Sequence, residues 1–250
     1  MRTNNTIYPR IKNLLNGNKL VIFLEITLVF LPMYLGLVIS DSMGINQIPL
    51  WGDVVLLGGP ILYLGAGLSL ALLILISWLR GINWENYGLN RSPNWFREIL
   101  LGIGVAFAVL GIVVLLINPA LRAIPNIEPR DMSRFDVLTN NLPALLINLV
   151  MMWFTAGFLE EFMWRGYLMN RLVDLFGSQT KLTWVFVLIV SAVIFGVAHS
   201  YQGTLGMLKT GAVGFVFGLA YLAVGRNLWP LIFAHALIDS IDFITHYLGG

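Results

Sequence analysis

The chain contains no cysteine, and only 11% of its 250 residues are charged. Without cysteine it can form no disulfide, no thiolate zinc site and no cysteine nucleophile. Its formal net charge is only +2, and it carries no basic run of the kind that binds nucleic acid. These absences exclude disulfide-stapled secreted domains and argue against a nucleic-acid partner.

Apolar residues, by contrast, are abundant. Hydrophobic side chains make up 58% of the sequence, and the mean hydropathy is +0.80. A soluble domain of this length could not bury that much apolar surface. The composition therefore predicts an all-α polytopic bundle of transmembrane helices, with residues 1–250 forming a single membrane-embedded domain.

Seven apolar runs have about the length that a helix needs to cross a bilayer, roughly 20 residues. They cover residues 20–40, 54–79, 99–117, 142 to beyond 157, 182–198, 205–224 and 228–247. The first run is followed by no small-x-small cleavage site, so we interpret it as an uncleaved spanning helix that Pro32 can kink. An eighth span in residues 118–141 is the alternative, but three prolines and six charges argue against it.

The distribution of lysine and arginine predicts the orientation in the membrane. Residues 1–19 contain four, including Arg2 and Arg10, and residues 80–97 contain three, whereas residues 41–53 contain none. Because cytoplasmic connections carry the excess of positive charge, the amino terminus is predicted to be cytoplasmic and the carboxyl terminus external.

Two further features of the spans give specific predictions. Glu25, near the start of the first run, is predicted to reach the membrane interface by snorkelling. Gly211, Gly214 and Gly218 fall on one face of the sixth span, and this small-residue face predicts close approach of a neighbouring helix.

The most unusual stretch lies in the fourth apolar run, where Glu160, Glu161 and Arg165 stand among apolar residues. Ionisable groups at membrane depth are costly, so they are expected to be paired and functional. Glu161 and Arg165 are spaced i, i+4 with the acid first, which favours an ion pair along the helix.

The three histidines of the chain also lie in or at the ends of apolar spans. His199 closes the fifth span. His235 and Asp239 share one face of the seventh span, and Asp242 and His246 continue the same stripe. The last two lie near the outer end of the span, where water can solvate them.

Helix arithmetic indicates that these groups can meet. Two segments have the same length: Glu160 to the turn near Gly177, and Leu182 to His199. Each spans 17 residues, or about 25 Å at ~1.5 Å per residue. His235 lies only about 11 Å beyond the turn at 225–227. Glu160, His199 and His235 lie at the same depth in the membrane if that turn lies at the membrane surface while residues 166–176 form an amphipathic extension into the cytoplasm. The site is then predicted in the cytoplasmic half of the membrane.

The residues favour activation of water. Gly-x-Ser-Gly, Gly-x-Gly-Asp and His-Glu-x-x-His, which mark other classes of protease, are absent. A partly desolvated Glu160 suits a general base, with Glu161 and Arg165 as its brace. The imidazoles can share the water or donate to an oxyanion. Alternatively, Glu160, His199, His235 and Asp239 supply enough N and O ligands for a divalent metal such as zinc.

The three segments resemble the motifs of the CAAX protease and bacteriocin-processing family, also called CPBP or Abi, which includes the type II CAAX prenyl endopeptidases. Its motifs are Glu-Glu-x-x-x-Arg, Phe-x-x-x-His and His-x-x-x-Asn or Asp. Here they read Glu160 to Arg165, Phe195 to His199 and His235 to Asp239. The resemblance covers residues 143–243, which we predict to be the catalytic core.

The resemblance implies an intramembrane endopeptidase, acting by a glutamate- or metal-activated water on a membrane-associated peptide, such as a prenylated one. Catalysis would involve Glu160, Glu161, Arg165, His199, His235 and Asp239. Glu160 would be the main base and His199 would share its water, while His235 and Asp239 would stabilise the oxyanion or bind a metal. The prenyl proteases carry Asn where this chain has Asp239, and aspartate is a weaker oxyanion donor but a better metal ligand.

Two other functions fit the sequence less well. A non-catalytic membrane scaffold, an immunity protein or a partner-binding protein would keep the fold but not the full motif set. A transporter with a proton relay would spread polar residues through several spans, yet the first three spans offer only Glu25. We therefore expect the bilayer and a lipidated or membrane-associated peptide as partners.

Overall fold

A computed structural model describes residues 7–249 of the chain, with side chains from Lys12 onward. Its longer helices follow in sequence order. They are α1 (Ile7–Gly17), α2 (Lys19–Ser42), α3 (Pro60–Arg80), α4 (Trp95–Arg122), α5 (Leu142–Phe176), α6 (Lys181–Ala198), α7 (Gly203–Ala223) and α8 (Leu228–Tyr247). Short 3₁₀ turns cover Trp84–Tyr87, Ser133–Leu138 and Ser200–Gln202.

Helices α2 to α8 are the seven in the described chain that are long and apolar enough to cross a membrane. This confirms the predicted all-α bundle of seven spans, and residues 118–141 supply no eighth. The charge bias that predicted the orientation rests partly on Arg2, which lies outside the described residues, and on Arg10, whose side chain is not described.

The sequence marks most span boundaries with polar caps. Five helices begin after a residue whose side-chain oxygen accepts a hydrogen bond from a backbone N–H of the first turn. These caps are Asn18, Asn94, Asn141, Thr180 and Asn227. Gly81 and Gly177 end α3 and α5 with φ of 66° and 76°, a left-handed conformation that glycine adopts without steric cost. Satisfying helix ends matters here because lipid offers them no partners.

A β-hairpin was not predicted. Strands β1 (Gln47–Trp51) and β2 (Val54–Leu57) pair antiparallel, and Pro60 then starts α3, so the prediction of a helix beginning at residue 54 was wrong. Buried Asn148 of α5 holds the hairpin in place. Its Oδ1 accepts from Leu57 N at 2.7 Å, and its Nδ2 donates to Val55 O at 2.8 Å.

Helix α5 is wound unusually over its middle. Trp153–Met169 forms a π-helix, in which each N–H bonds to the carbonyl five residues earlier. Phe154, Phe158 and Phe162 stack along it with ring centroids 6.0 Å apart. The whole Glu-Glu-x-x-x-Arg motif lies in this segment, and π-helical turns often occur at functional sites.

The carboxyl-terminal part of α5 projects past the turn that precedes α8, as predicted. A Cβ on Gly166 would lie 2.8 Å from Tyr87 O and 3.0 Å from Leu228 Cδ1, so the start of α8 is level with Gly166. The prediction of an amphipathic surface there was wrong. Apart from Asn170, residues 166–173 are buried, because α2 and α6 pack against them.

Glu25 is also buried, so the snorkelling prediction was wrong. Its Oε1 accepts from Tyr167 Oη and from Arg171 Nε, both at 2.9 Å, and lies 3.4 Å from Arg80 Nη1. Asp174 completes this group by pairing with both arginines, at 3.2 and 3.1 Å. These five residues, the Glu25 cluster, join α2, α3 and the end of α5.

The small-residue face of α7 packs on α6, as predicted. A Cβ on Gly211 would lie 3.2 Å from Ala192 O. A Cβ on Gly214 would lie 2.7 Å from the ring of Phe195, and one on Gly218 would lie 2.6 Å from Leu188 Cδ2. Close helix approach therefore fixes α7 against the helix that ends at His199.

We expect Gly214→Leu to destabilise the protein by about 1–3 kcal/mol, because the added side chain overpacks the α6–α7 contact and displaces Phe195. Thermal unfolding in detergent measures the effect. Gly104→Leu is the matched control, since nothing lies within 4 Å of a Cβ there. Equal unfolding temperatures for the two variants would contradict the packing argument.

Candidate active site

The site begins with an ion pair buried in the π-helical segment of α5. Arg165 Nη1 donates to Glu161 Oε1 at 2.7 Å, and the two side chains are 2% and 0% exposed. Arg165 Nη2 also donates to Gly214 O at 3.2 Å, and its guanidinium lies over the rings of Phe195 and Phe217. Arg165 is thus fully engaged in bracing α5 against α6 and α7.

His235 of α8 joins this pair. Its Nδ1 lies 2.7 Å from Glu161 Oε1, and its Nε2 lies 3.5 Å from Asp239 Oδ2. A carboxylate accepts hydrogen bonds only, so the short contact makes Nδ1 the donor. Glu161 therefore links the first motif to the third, and it fixes the orientation of the His235 ring. The i, i+4 spacing predicted the Asp239 contact, but nothing in the sequence pointed to the contact with Glu161.

The second motif fixes the tautomer of His199. Its Nδ1 lies 2.8 Å from Phe195 O, the backbone carbonyl of the first motif residue. Because a carbonyl can only accept, Nδ1 carries the proton, and a neutral His199 presents Nε2 as an acceptor. The Phe195 ring packs on both His199 and Trp164, so it also holds the imidazole in place.

The three motifs meet at a cavity of about 440 Å³. Five of the six predicted catalytic residues line it: Glu160, Arg165, His199, His235 and Asp239. Glu161 is fully buried behind the wall, with Oε2 lacking a hydrogen-bond partner in the described structure. The arrangement separates the two adjacent glutamates: one faces the cavity and the other supports its wall.

The remaining wall is mostly apolar. Residues of α2, α3 and α4, such as Met33, Ala66 and Val109, contribute to it, so spans that carry no motif still shape the site. Asp242 also lines the cavity, whereas His246 stacks on Phe135 with ring centroids 5.4 Å apart. Three residues of the stripe predicted on α8 therefore line the cavity, namely His235, Asp239 and Asp242. The fourth, His246, packs against the connection before α5.

Sequence reasoning missed three cationic residues of the wall. Arg130 and Arg134, in the connection between α4 and α5, and Lys209 of α7 all line the cavity. Lys209 stands in an otherwise apolar span, which is the signal that could have marked it. Arg130 gave no such signal, because it belongs to a polar connection.

The donors do not form a metal centre in this arrangement. Among residues 7–249, no three His, Asp or Glu side chains lie together so that they could hold a metal ion. Glu160, His199, His235 and Asp239 share the cavity, and because Nδ1 of His199 and of His235 bonds to a protein oxygen, Nε2 is the nitrogen of each ring that could bind a metal. Binding of a divalent metal by these four residues stays a prediction.

Comparisons with known proteins agree with the motifs. Residues 142–241 match the family model described as type II CAAX prenyl endopeptidase, Rce1-like. Searches of curated proteins and of solved structures gave no match. The matched region runs from the start of α5 into α8, so it contains all three motifs and the helices that bring them together. Residues 142–241 of this integral multi-pass membrane protein are therefore similar to the Rce1-like type II CAAX prenyl endopeptidase family, as the motifs predicted.

Proposed function

We propose that the protein is an intramembrane endopeptidase that hydrolyses a peptide bond with a water activated by Glu160 and His199. The observation that carries the proposal is the convergence of the three motifs on one cavity. There a carboxylate, an imidazole acceptor and an imidazole held by a carboxylate line the same wall. These are the groups that water activation and oxyanion stabilisation require.

Glu160 is the proposed general base. It is the cavity-facing member of the Glu-Glu pair, and no hydrogen bond or ion pair to another described side chain occupies it. Nε2 of His199 accepts a second hydrogen bond from the same water and so orients it. The water oxygen then attacks the scissile carbonyl carbon, and its proton passes to Glu160.

His235 is the proposed oxyanion donor. Its Nδ1–H is fixed by Glu161, and its Nε2 lies in the cavity wall beside Asp239. With a proton on both nitrogens, His235 can donate from Nε2 to the developing oxyanion. Collapse of the tetrahedral intermediate breaks the C–N bond, and Glu160 returns its proton to the leaving amine. Asp239 keeps the imidazolium neutralised before substrate binds, a role that suits aspartate at this position.

The surroundings support a membrane-associated substrate. The apolar wall supplied by α2, α3 and α4 suits a lipidated peptide, such as a prenylated one. The charge bias of the connections supports a cytoplasmic amino terminus, and the position of His235 near the start of α8 supports a site in the cytoplasmic half of the bilayer. The substrate would then enter from the cytoplasm or from the bilayer.

Cleavage of a prenylated carboxyl-terminal peptide and of a peptide library by the purified protein tests the proposal. We expect His199→Ala to lower kcat by about 10²-fold or more, because the water loses its second acceptor. Ser200→Ala, at the neighbouring exposed position, is the control. Parallel assays with a chelator test the predicted metal, since loss of activity that zinc restores would support it. Equal product from the wild type and from His199→Ala would overturn the proposal.

A further inference from the structure

A second cavity adjoins the candidate active-site cavity. It has a volume of about 510 Å³ and lies between the α2–α3 and α4–α5 connections, at the face of the bundle where α2, α4, α6 and α8 end. Polar side chains such as Asp41, Asn46 and Ser133 line it. Water can therefore fill this cavity, which we call the vestibule, and nothing in the three motifs accounts for it.

Two residues separate the vestibule from the active-site cavity. Arg134 and Tyr201 line both cavities, and among the described residues they are the only two that do so. Arg134 belongs to the 3₁₀ turn Ser133–Leu138 and Tyr201 to the turn Ser200–Gln202, so no spanning helix contributes to this wall. Short connecting segments move more readily than the packed helices that they join. The wall is therefore a place where the two cavities can become continuous.

A stacked and paired arginine holds the wall closed. Arg134 Cζ lies 3.6 Å from the centroid of the Tyr201 ring, and Arg134 Nη2 lies 3.3 Å from Asp41 Oδ1. Arg134 thereby links the end of α2 to the turn that follows α6. The ion pair is reached by water, since the side chains of Arg134 and Asp41 are 19% and 48% exposed. Such pairs contribute little stability, so this link can break and re-form while the bundle stays folded.

The wall also lies beside the candidate catalytic residues. The ring centroid of Tyr201 is 5.8 Å from that of His199, two residues earlier. The active-site cavity extends along α8 from His235 to Thr245, which is ten residues or about 15 Å of helix. It therefore reaches from the depth of the third motif to the face that carries the vestibule. Because most of its other walls are apolar, the vestibule offers water a polar path to the site.

We propose that Asp41, Arg134 and Tyr201 form a gate through which water passes from the vestibule into the active-site cavity. The use of that water rests on the proposed function, because hydrolysis consumes one water molecule for each peptide bond that is cleaved. When the Arg134–Asp41 pair breaks, the arginine leaves the Tyr201 ring and the two cavities join. When the pair re-forms, bulk water is excluded, which strengthens the electrostatic interactions inside the site.

Single thiol probes test the gate, because the chain has no cysteine of its own. Ala156→Cys puts a thiol in the active-site cavity, and Ser133→Cys puts one in the vestibule. A charged methanethiosulfonate reagent, followed by intact-protein mass, should label Ser133→Cys rapidly and Ala156→Cys slowly. Added to Ala156→Cys, Asp41→Asn should speed labelling by about 2–5-fold, because it removes the ion pair. Arg134→Gln also removes the cation–π contact and should speed labelling by about 10-fold.

Matched controls make the same chemical changes elsewhere. Asp53→Asn and Arg122→Gln, at exposed positions in the same two connections, should leave the labelling of Ala156→Cys unchanged. Tyr201→Phe keeps the ring and should also leave it unchanged, whereas Tyr201→Leu should speed it. Asp41→Asn removes one exposed charge and keeps the shape of the side chain, so the test does not depend on the folding of Arg134→Gln.

Three results would overturn the gate. In the first, Ala156→Cys is labelled as fast as Ser133→Cys without any further substitution, so that no barrier separates the two cavities. In the second, neither Asp41→Asn nor Arg134→Gln changes the labelling of Ala156→Cys. In the third, the control substitutions speed it as much as they do. Labelling needs no substrate, so a gate that responds as expected in a protein that cleaves no peptide would overturn the proposed function alone.

Discussion

Glu160→Gln is expected to lower kcat for peptide cleavage by about 10²–10⁴-fold, the usual contribution of a positioned general base. Glutamine has nearly the same shape, but it cannot take the proton of the attacking water. Because Glu160 faces the cavity and holds no described partner, the substitution should leave thermal unfolding almost unchanged. Steady-state cleavage and a thermal-unfolding scan of the same preparation measure both effects.

Glu161→Gln is the matched comparison, since it makes the same chemical change one residue later. Glu161 accepts from both Arg165 and His235, so its loss leaves a buried guanidinium without its counter-charge. Breaking a buried pair in this way costs about 3–5 kcal/mol. We therefore expect Glu161→Gln to lower both the unfolding temperature and the activity. Full activity in Glu160→Gln would contradict the assignment of the base.

Glu25→Ala is expected to cause the largest loss of stability outside the site, again about 3–5 kcal/mol. Its carboxylate is the acceptor for Tyr167, Arg80 and Arg171, and Asp174 is the only other acid of the Glu25 cluster. Without Glu25, two buried arginines share one partly exposed carboxylate. The unfolding temperature should fall by roughly 10 °C, given ~2–4 °C per kcal/mol for a chain of this size.

Glu85→Ala, at an exposed position, is the control for Glu25→Ala, and we expect it to change the unfolding temperature little. A double variant sharpens the test. Glu25→Gln combined with Arg171→Gln removes a charge of each sign, so its loss of stability should be smaller than the sum of the two single losses. Additive losses, or a Glu25→Ala protein as stable as the wild type, would show that the cluster does not stabilise the fold through charge pairing.

Local periodicity explains why much of the site was predictable. The Glu161–Arg165 pair and the His235–Asp239 contact each follow from i, i+4 spacing on one helix, which sequence alone reveals. The seven spans follow from their apolar length, and many of their starts follow from Asn and Thr caps. The equal length of the two helical arms also brought Glu160 and His199 to one level, and both line the same cavity.

The errors have a common physical cause. Glu25 resembles an interfacial carboxylate when only its own helix is considered, but its partner Arg171 is 146 residues away. The strand at 54–57 has the composition of a membrane span, but its backbone pairs with β1 and bonds to the Asn148 side chain, which is 91 residues away from Leu57. Each misread residue is decided by a distant neighbour that no local pattern encodes.

The sequence by itself determined the membrane class, the number of spans, the three motifs and the family resemblance, because these depend on apolar length, spacing and residue type. The tertiary structure alone showed that Glu161 holds His235 and that Arg130 and Lys209 line the cavity. Those outcomes depend on how the helices are wound and rotated against each other. In α5, the π-helical winding of Trp153–Met169 sets where each side chain of the first motif points.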